Sequence, residues 1–270
     1  MNIKELTTLK EMEQMQQLEG QVWGTQTIPT HQTLTAVKNG GIAVGAIDGD
    51  KLVGFSYGFA AFKNGKSYLC SHMLGIDEAY RSQRVGEKLK RMQLQIAIHK
   101  GYDLMVWTYD PLETRNGYLN LTKLNGVCDT YIENCYGEMQ DGFNKGLPSD
   151  RFEVHWHLTS EYVEQQQEPK IGNPHPIAHL AWNEERLPYL KVTALGHLGE
   201  PAYSLPVPKD FQELKQVSAE LAMHWRTVTR EVFQALFSQG YIAVQIVVKE
   251  QWNEYLFVRK ETLALGGKRR

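Results

Sequence analysis

Apolar positions change period several times along the chain, and each change marks an element. Met12, Met15, Leu18 and Val22 recur at spacings of 3, 3 and 4, one face of a helix over Glu11 to Trp23. A strand, Ile3 to Leu9, precedes it. A second helix begins near Pro29-Thr30 and ends at Asn39-Gly40-Gly41, where glycine is the favoured cap. The pattern then becomes a meander of Ile42–Ile47, Leu52–Ala61 and Ser67–Ile76, turned at Asp48-Gly49-Asp50 and Asn64-Gly65. Val85, Leu89, Met92 and Ile96 return to spacings of 4, 3 and 4, a helix stopped by Lys100-Gly101. Leu104–Tyr109 reads as a strand buried on both faces and Thr114–Leu124 as a helix capped by Asn125-Gly126. Val127–Tyr136 and Arg151–Leu158 read as two further strands.

The polar stretch Glu164-Gln165-Gln166-Gln167-Glu168-Pro169 interrupts this alternation and reads as a boundary. The expected organisation is therefore a first domain over 1–163, a linker over 164–173 and a smaller α+β domain over 174–270. In the last, Phe211, Leu214, Val217, Leu221, Trp225, Val228, Val232 and Leu236 form a long amphipathic stripe broken at Ser218. Tyr241–Val248 and Glu254–Val258 close the unit as a strand pair, and the tail from Gly266 to Arg270 reads as disordered. The expected fold class is α/β (α+β): a mixed, mostly antiparallel sheet flanked by helices, with the small C-terminal domain added.

Composition narrows the function classes. Of 270 residues, 42% are apolar and 22% charged, enough for a sizeable core without disulfides or structural metal. The formal charge is 29 − 31 = −2, which argues against nucleic acid or an anionic membrane as the main partner. No apolar run approaches the roughly 18 residues that span a bilayer. The start, Met1-Asn2-Ile3-Lys4-Glu5-Leu6, has no apolar signal region, and three cysteines (Cys70, Cys128, Cys135) suit free thiols in a reducing cytosol. The expectation is a soluble cytoplasmic protein.

Chemistry concentrates between Met73 and Leu89, where a strand runs through a short turn into a helix flanked by Arg81, Arg84 and Lys88. A helix N-terminus offers free N–H groups and a positive dipole end to a phosphate, and Gly86 lets an anion approach the backbone. Arg81-Ser82-Gln83-Arg84-Val85-Gly86 resembles the acetyl-CoA motif of the GNAT (Gcn5-related N-acetyltransferase) superfamily, Arg/Gln-x-x-Gly-x-Gly/Ala, with Arg84 in place of the first glycine. The order β-α-α-β-β-β-α-β-α-β-β over residues 1–160 resembles the whole GNAT fold. Asp110-Pro111-Leu112, Tyr136-Gly137-Glu138-Met139 and Gly146-Leu147-Pro148-Ser149-Asp150-Arg151-Phe152 resemble a bacterial branch of predicted acetyltransferases with a C-terminal extension.

The resemblance implies direct transfer of an acetyl or other acyl group from acetyl-CoA to an amine of a small-molecule acceptor, within a ternary complex and without metal. It implies that acyl-CoA lies in an opening between the fourth and fifth strands. Its pantetheine would pair with the backbone of Leu74, Gly75 and Ile76, and its pyrophosphate would meet the amides of Ser82, Gln83, Arg84, Val85, Gly86 and Glu87, with Arg81 beside them. His72 matches a functional histidine of the arylalkylamine branch and is the candidate base; the other reading is a strand histidine bonded to nearby backbone. Leu74 and Ile76 share its strand parity, which places all three on one face. Cys70, two residues earlier, reads as packing. The expected tyrosine of the helix after the fifth strand is absent; Tyr118, one turn away, is the candidate acid, and Asn116 is a candidate pantetheine contact. His155-x-His157 alone does not make a metal site. Arg226 and Arg230 lie one turn apart, suited either to an acidic acceptor or to surface ion pairs. The C-terminal region is a candidate acceptor pocket or homodimer contact. A reading from another class is a CoA-binding GNAT-fold module that senses or assembles without turnover.

Overall fold

The computed structural model describes every residue except 25–26, 138–145, 185, 194 and 268–270. Glu138 and Met139 of the branch-like motif, and Lys268 to Arg270 of the tail, lie outside the described residues. The chain forms two compact units. The first contains Met1–Trp107, His157–Thr159 and Gly267–Arg270, and the second contains Thr108–Trp156 and Ser160–Gly266.

In the first unit, β1 (Asn2–Glu5) gives way early to α1 (Leu9–Trp23), because Thr8 caps the helix. Its hydroxyl accepts the Glu11 N–H at 3.3 Å while the Glu11 carboxylate accepts the Thr8 N–H at 2.9 Å, so Leu9 is helical and not strand. Then follow α2 (Thr30–Lys38), β2 (Ile42–Asp48), β3 (Lys51–Lys63), β4 (Lys66–Ile76), a 3-10 turn at Glu78–Tyr80, α3 (Val85–His99) and β5 (Leu104–Tyr109), whose last two residues fall in the second unit. Strands β1 to β4 pair as antiparallel neighbours in chain order, and β5 joins β4 in parallel. Met12, Met15 and Leu18 of α1 pack with Val37, Phe55 and Tyr57 on one face of the sheet. On the other face α3 presses Val85 and Leu89 against Gly54, where a Cβ would come within 3.1 and 3.3 Å of them. Phe55 and Gly54 thus mark the two faces.

The second unit holds α4 (Thr114–Gly117), β6 (Val127–Ile132), β7 (Arg151–His157, its last residue falling in the first unit), α5 (Glu161–Glu164), β8 (His175–Pro176), β9 (Ala178–Trp182), β10 (Pro188–Val192), β11 (Ala202–Val207), α6 (Phe211–Val217), α7 (Ala219–Ser238), β12 (Tyr241–Val248) and β13 (Asn253–Arg259). Within it the strand order is β7-β6-β12-β13-β11-β8, antiparallel except for β11 with β8, and β9–β10 form a separate hairpin. The expected helix over Thr114–Leu124 is instead α4 followed by a π-helical turn, Tyr118–Lys123. A Cβ on Gly117 would lie 2.4 Å from Ile246 and 2.9 Å from Tyr255, so the glycine allows this close approach. Asn125, at φ 53°, takes the left-handed cap position. Strand β6 ends at Ile132, short of Tyr136, because Asp150 accepts the Asn134 N–H at 2.9 Å and the Tyr131 hydroxyl at 2.5 Å, which turns the chain. The break at Ser218 is present, with Ser218 capping α7.

The mixed, mostly antiparallel α/β class is as expected. The compact units divide after Trp107, whereas the polar stretch at 164–169 suggested 163. Strands β6 and β7 pair with each other and β6 with β12, while Tyr131 stacks on Phe233 and Phe152 meets it edge-on, so these segments group with the later chain. Arg226 and Arg230 are held within this unit and are not a solvated pair. Arg226 is 1% exposed and makes a two-pronged ion pair with Asp110, while Arg230 binds Asp150 at 2.8 Å and Glu133 at 3.1 Å. Attraction to Asp110 outweighs the desolvation of Arg226 and raises its pKa.

His155 stands between Asp129, at 3.2 Å, and Glu153, at 3.1 Å, and Lys260 also binds Asp129. Burial would lower its pKa, but the two carboxylates outweigh burial and raise it to about 9. A histidine raised on folding stabilises fully below its unfolded pKa of about 6.5. That contribution is lost as pH rises through about 9. The urea midpoint of the protein is expected to fall between pH 6.5 and pH 10, and His155→Gln is expected to flatten that fall; equal slopes in both proteins refute the assignment.

Candidate functional site

The ladder between β3 and β4 contains one irregularity that shapes the site. Tyr57 pairs with Met73 and Phe59 with Cys70, so Gly58 alone faces Ser71 and His72. This is a β-bulge in β4. A Cβ on Gly58 would lie 2.8 Å from the Cys70 carbonyl and 3.2 Å from the Ser71 Cα, which explains a glycine inside a strand. Beneath the bulge, on the α3 face, Ser71 and Ser56 donate to Gln93 Oε1 at 2.8 and 3.0 Å. Lys90 Nζ donates to Ser71 Oγ at 2.8 Å and sits 3.5 Å from the centre of the Trp107 ring. Burial pushes the Lys90 amine well below its ordinary pKa.

Pairing of β4 with β5 covers only Leu69 with Met105 and Cys70 with Val106. At the bulge it stops. From Leu74 to Ile76 the strand bonds β3 along one edge, and among the described residues no strand pairs with its other edge. An extended group with amide donors and acceptors has a free ladder there.

Past Ile76 the chain is pinned before it turns. Asp77 accepts the Ala79 N–H at 3.0 Å and pairs with Lys51 at 2.6 Å, and its hydrogen bond from Lys51 lowers its pKa. Tyr80 donates to Asp48 at 2.8 Å. Ser82 and Arg84 then take left-handed backbone, φ 68° and 57°, and α3 starts at Val85 with no side chain capping it. Arg81, Ser82, Gln83 and Arg84 are exposed, Val85 and Gly86 are buried, and Glu87 is half-buried. The uncapped amides and the dipole of a fifteen-residue helix are thus flanked by exposed Arg81, Arg84 and Lys88. Left-handed backbone costs a side-chain-bearing residue about 1–2 kcal/mol, which gives a physical reason for the glycine of the motif at the position of Arg84.

The bulge also corrects the expected parity. Ser56, opposite Leu74, and Gly54, opposite Ile76, face α3, so Leu74 and Ile76 do as well. His72 instead lies against Phe59, ring centres 5.8 Å apart, and Phe59 packs on the α1–α2 core. His72 is therefore on the opposite face. Its ring is exposed, and desolvation by the surrounding atoms lowers its pKa below the ordinary 6.5. On that same face stand Tyr57, Cys70 and Glu19. Burial, then the Cys70 thiol and the Glu19 carboxylate, raise the Tyr57 phenol. Glu19 is 6% exposed and is raised by burial, with the Ile28 N–H at 3.1 Å partly offsetting this.

Asn116 and Tyr118 belong to the second unit. Asn116 is exposed at the end of α4, and Tyr118 opens the π-helical turn with Lys123 Nζ 5.2 Å from its ring centre. Among the described residues no group of three or more His, Cys, Asp or Glu could hold a metal ion, and no helix is long and apolar enough to cross a membrane. A cavity of about 480 Å³ lined by Gln14, Gln17, Gln21, Asp48, Asp50 and Lys51 includes none of the candidate residues. Sequence reasoning missed Glu19, Lys90 and Gln93. Glu19 falls at i+4 from Met15 and i+7 from Met12, a carboxylate within an apolar stripe, and Gly58 within β3 signals the bulge.

No protein-family model matches the sequence, and no curated protein matches it. Among solved structures, an aminoglycoside 6'-acetyltransferase type Ii is 18% identical, with a TM-score of 0.44 over 58% of this chain and 97% of its own. An N-acetyltransferase from Staphylococcus aureus Mu50 is 11% identical, with a TM-score of 0.46 over 58% of this chain and 97% of its own. The ribosomal-protein-S18-alanine N-acetyltransferase from Escherichia coli is 12% identical, with a TM-score of 0.46 over 58% of this chain and 93% of its own. At these scores the similarity carries nothing about substrate or mechanism, which rest on the geometry of β4 and α3.

Arg84→Gly removes the left-handed strain and is expected to leave the protein as stable or up to about 1 kcal/mol more stable in urea unfolding. A loss above 1 kcal/mol would show that the Arg84 side chain outweighs its backbone cost.

Proposed function

We propose that this protein is an acyl-CoA-dependent N-acyltransferase, moving an acetyl group from acetyl-CoA to an amine. The observation that carries the reading is the conjunction of a free β4 edge at Leu74–Ile76 with an uncapped, basic-flanked α3 N-terminus one turn further on. A pantetheine arm has the amides to continue the ladder, and a pyrophosphate has the charge to meet the amides of Val85, Gly86 and Glu87. Arg81, Arg84 and Lys88 add cationic side chains around it.

The reaction needs the acceptor amine to lose a proton as it attacks the thioester carbon, and the departing thiolate to gain one. His72 is the group proposed to take the first proton. Its lowered pKa keeps the imidazole neutral at pH 7, the form able to accept. No residue of the first unit is assigned to the thiolate. A direct attack of this kind uses no metal.

Acetyl-CoA is expected to raise the melting temperature by binding the folded state. Gly86→Val is expected to abolish the shift by putting a branched side chain at the second position of α3; an unchanged shift in a folded variant sinks the pyrophosphate assignment.

With an accepted amine, His72→Ala is expected to lower kcat by about a hundredfold or more while the acetyl-CoA shift persists. The loss should shrink at high pH, where more of the amine is already deprotonated, and the wild-type rate should fall as pH drops through the lowered His72 pKa. Equal rates at pH 7 would make His72 a packing residue. Binding without transfer to any amine would favour a CoA-binding module.

A further inference from the structure

A cavity of the first unit contains none of the acyl-CoA elements, yet its wall is bonded to them. It measures about 480 Å³ and opens between α1 and the turn that joins β2 to β3. Small-molecule sites fall in the range of roughly 300–1,000 Å³. From α1 the cavity takes Gln14, Gln17 and Gln21, whose spacings of 3 and 4 align them on one face. From the turn it takes Asp48, Asp50 and Lys51, and buried Leu18 and Leu52 complete the lining.

The polar groups of this lining are largely unused by the fold. Among the described residues the side chains of Gln14, Gln17, Gln21 and Asp50 make no hydrogen bond or ion pair. Gln16, by contrast, donates to the Ile28 carbonyl at 2.9 Å. Each carboxamide offers two donors and two acceptor positions, the set that a row of hydroxyl groups needs. Asp48 is already engaged by the Tyr80 hydroxyl at 2.8 Å and the Met1 amino group at 3.7 Å, and Lys51 by Asp77 at 2.6 Å. Asp50 is therefore the carboxylate left for a ligand, and it suits an ammonium group.

Both flanks of the β2–β3 turn are tied to the segment that enters α3, Asp48 to Tyr80 and Lys51 to Asp77. These ties lie at the surface, where single pairs are weak. A molecule bridging α1 and the turn adds to them.

We propose that this cavity binds a small polyhydroxylated cation, of the amino-sugar class, and that its occupancy strengthens acyl-CoA binding. The ammonium meets Asp50, the hydroxyls meet Gln14, Gln17 and Gln21, and a C–H face lies on Leu18 and Leu52. Bridging holds the turn and, through Tyr80 and Asp77, the segment leading to the α3 N-terminus. The ligand site stands on its own geometry, while the effect on acyl-CoA rests on the acyltransferase reading. Such coupling is reciprocal, so acyl-CoA tightens the cation by the same factor.

The test uses the full chain, glucosamine and glucose as probes, and CoA in place of acetyl-CoA so that no acyl group is transferred. In calorimetric titration glucosamine is expected to bind roughly tenfold or more tightly than glucose, the scale of a hydrogen bond to a charged group. Asp50→Asn, at an exposed turn position, is expected to erase that preference, and Gln17→Leu to weaken both sugars. Saturating glucosamine is expected to tighten CoA about fivefold or more in the wild type and not in Asp50→Asn. Tyr80→Phe cuts one tie without changing the lining, so glucosamine should still bind while its effect on CoA shrinks. A glucosamine preference that survives in Asp50→Asn overturns the site, as does binding of neither sugar. Glucosamine bound through Asp50 with CoA affinity unchanged overturns the coupling. If CoA itself does not bind, the acyltransferase reading falls, and the Asp50 dependence of glucosamine binding alone decides the site.

Discussion

Where Gly58 of β3 faces both Ser71 and His72, the ladder takes in one residue more on β4 than on β3, and the candidate site is arranged around that mismatch. The extra residue re-aims the side chains, so His72 faces the α1–α2 core while Leu74 and Ile76 face α3. It also coincides with the end of β4–β5 pairing. One local irregularity therefore does two jobs: it frees a strand edge and assigns the ionisable group to the face away from α3. Only a glycine permits it, since any Cβ at position 58 would meet the Cys70 carbonyl.

The two faces of β4 differ in electrostatic character. On the α3 side Arg81, Arg84 and Lys88 stand exposed near the helix start, suited to anions, while Lys90 lies in the interior with its amine pushed well below its ordinary pKa by burial. On the α1 side are Glu19, Tyr57 and Cys70, groups that are neutral or anionic. A sheet is thin, and its strand dipoles largely cancel, so such a difference has to come from side chains. In the second unit buried charges are matched instead: Arg226 pairs with Asp110 and Arg230 with Asp150.

Much of the fold was legible in the sequence. Turn dipeptides located β2, β3 and β4, and the spacing of Val85, Leu89, Met92 and Ile96 located α3 almost to the residue. What could not be read were departures from period. A bulge shifts parity by one, and strand periodicity contains no mark of it apart from Gly58. The π-helical turn after α4 answers to Ile246 and Tyr255, residues more than a hundred positions away. The grouping of the chain is another such case: a polar stretch at 164–169 looks like a boundary, while β7 pairs with β6 and β6 with β12, and no local composition announces a long-range strand pair. Of the candidate site, the anion-binding turn was visible because its chemistry lies in consecutive residues. Glu19 was hidden because its meaning depends on what α1 packs against.

The enclosure of Lys90 has a further consequence. Burial pushes the Lys90 amine well below its ordinary pKa, towards the uncharged and nucleophilic form, and in the proposed reaction a thioester lies along β4. Such a protein carries, within its own interior, a competitor to its substrate. Ser71, Gln93 and Met105 surround the Lys90 nitrogen, and the Trp107 ring lies across it at 3.5 Å. Read this way, the packing beneath the bulge is insulation: it separates an acyl donor from an amine that would otherwise turn a catalyst into its own dead-end product.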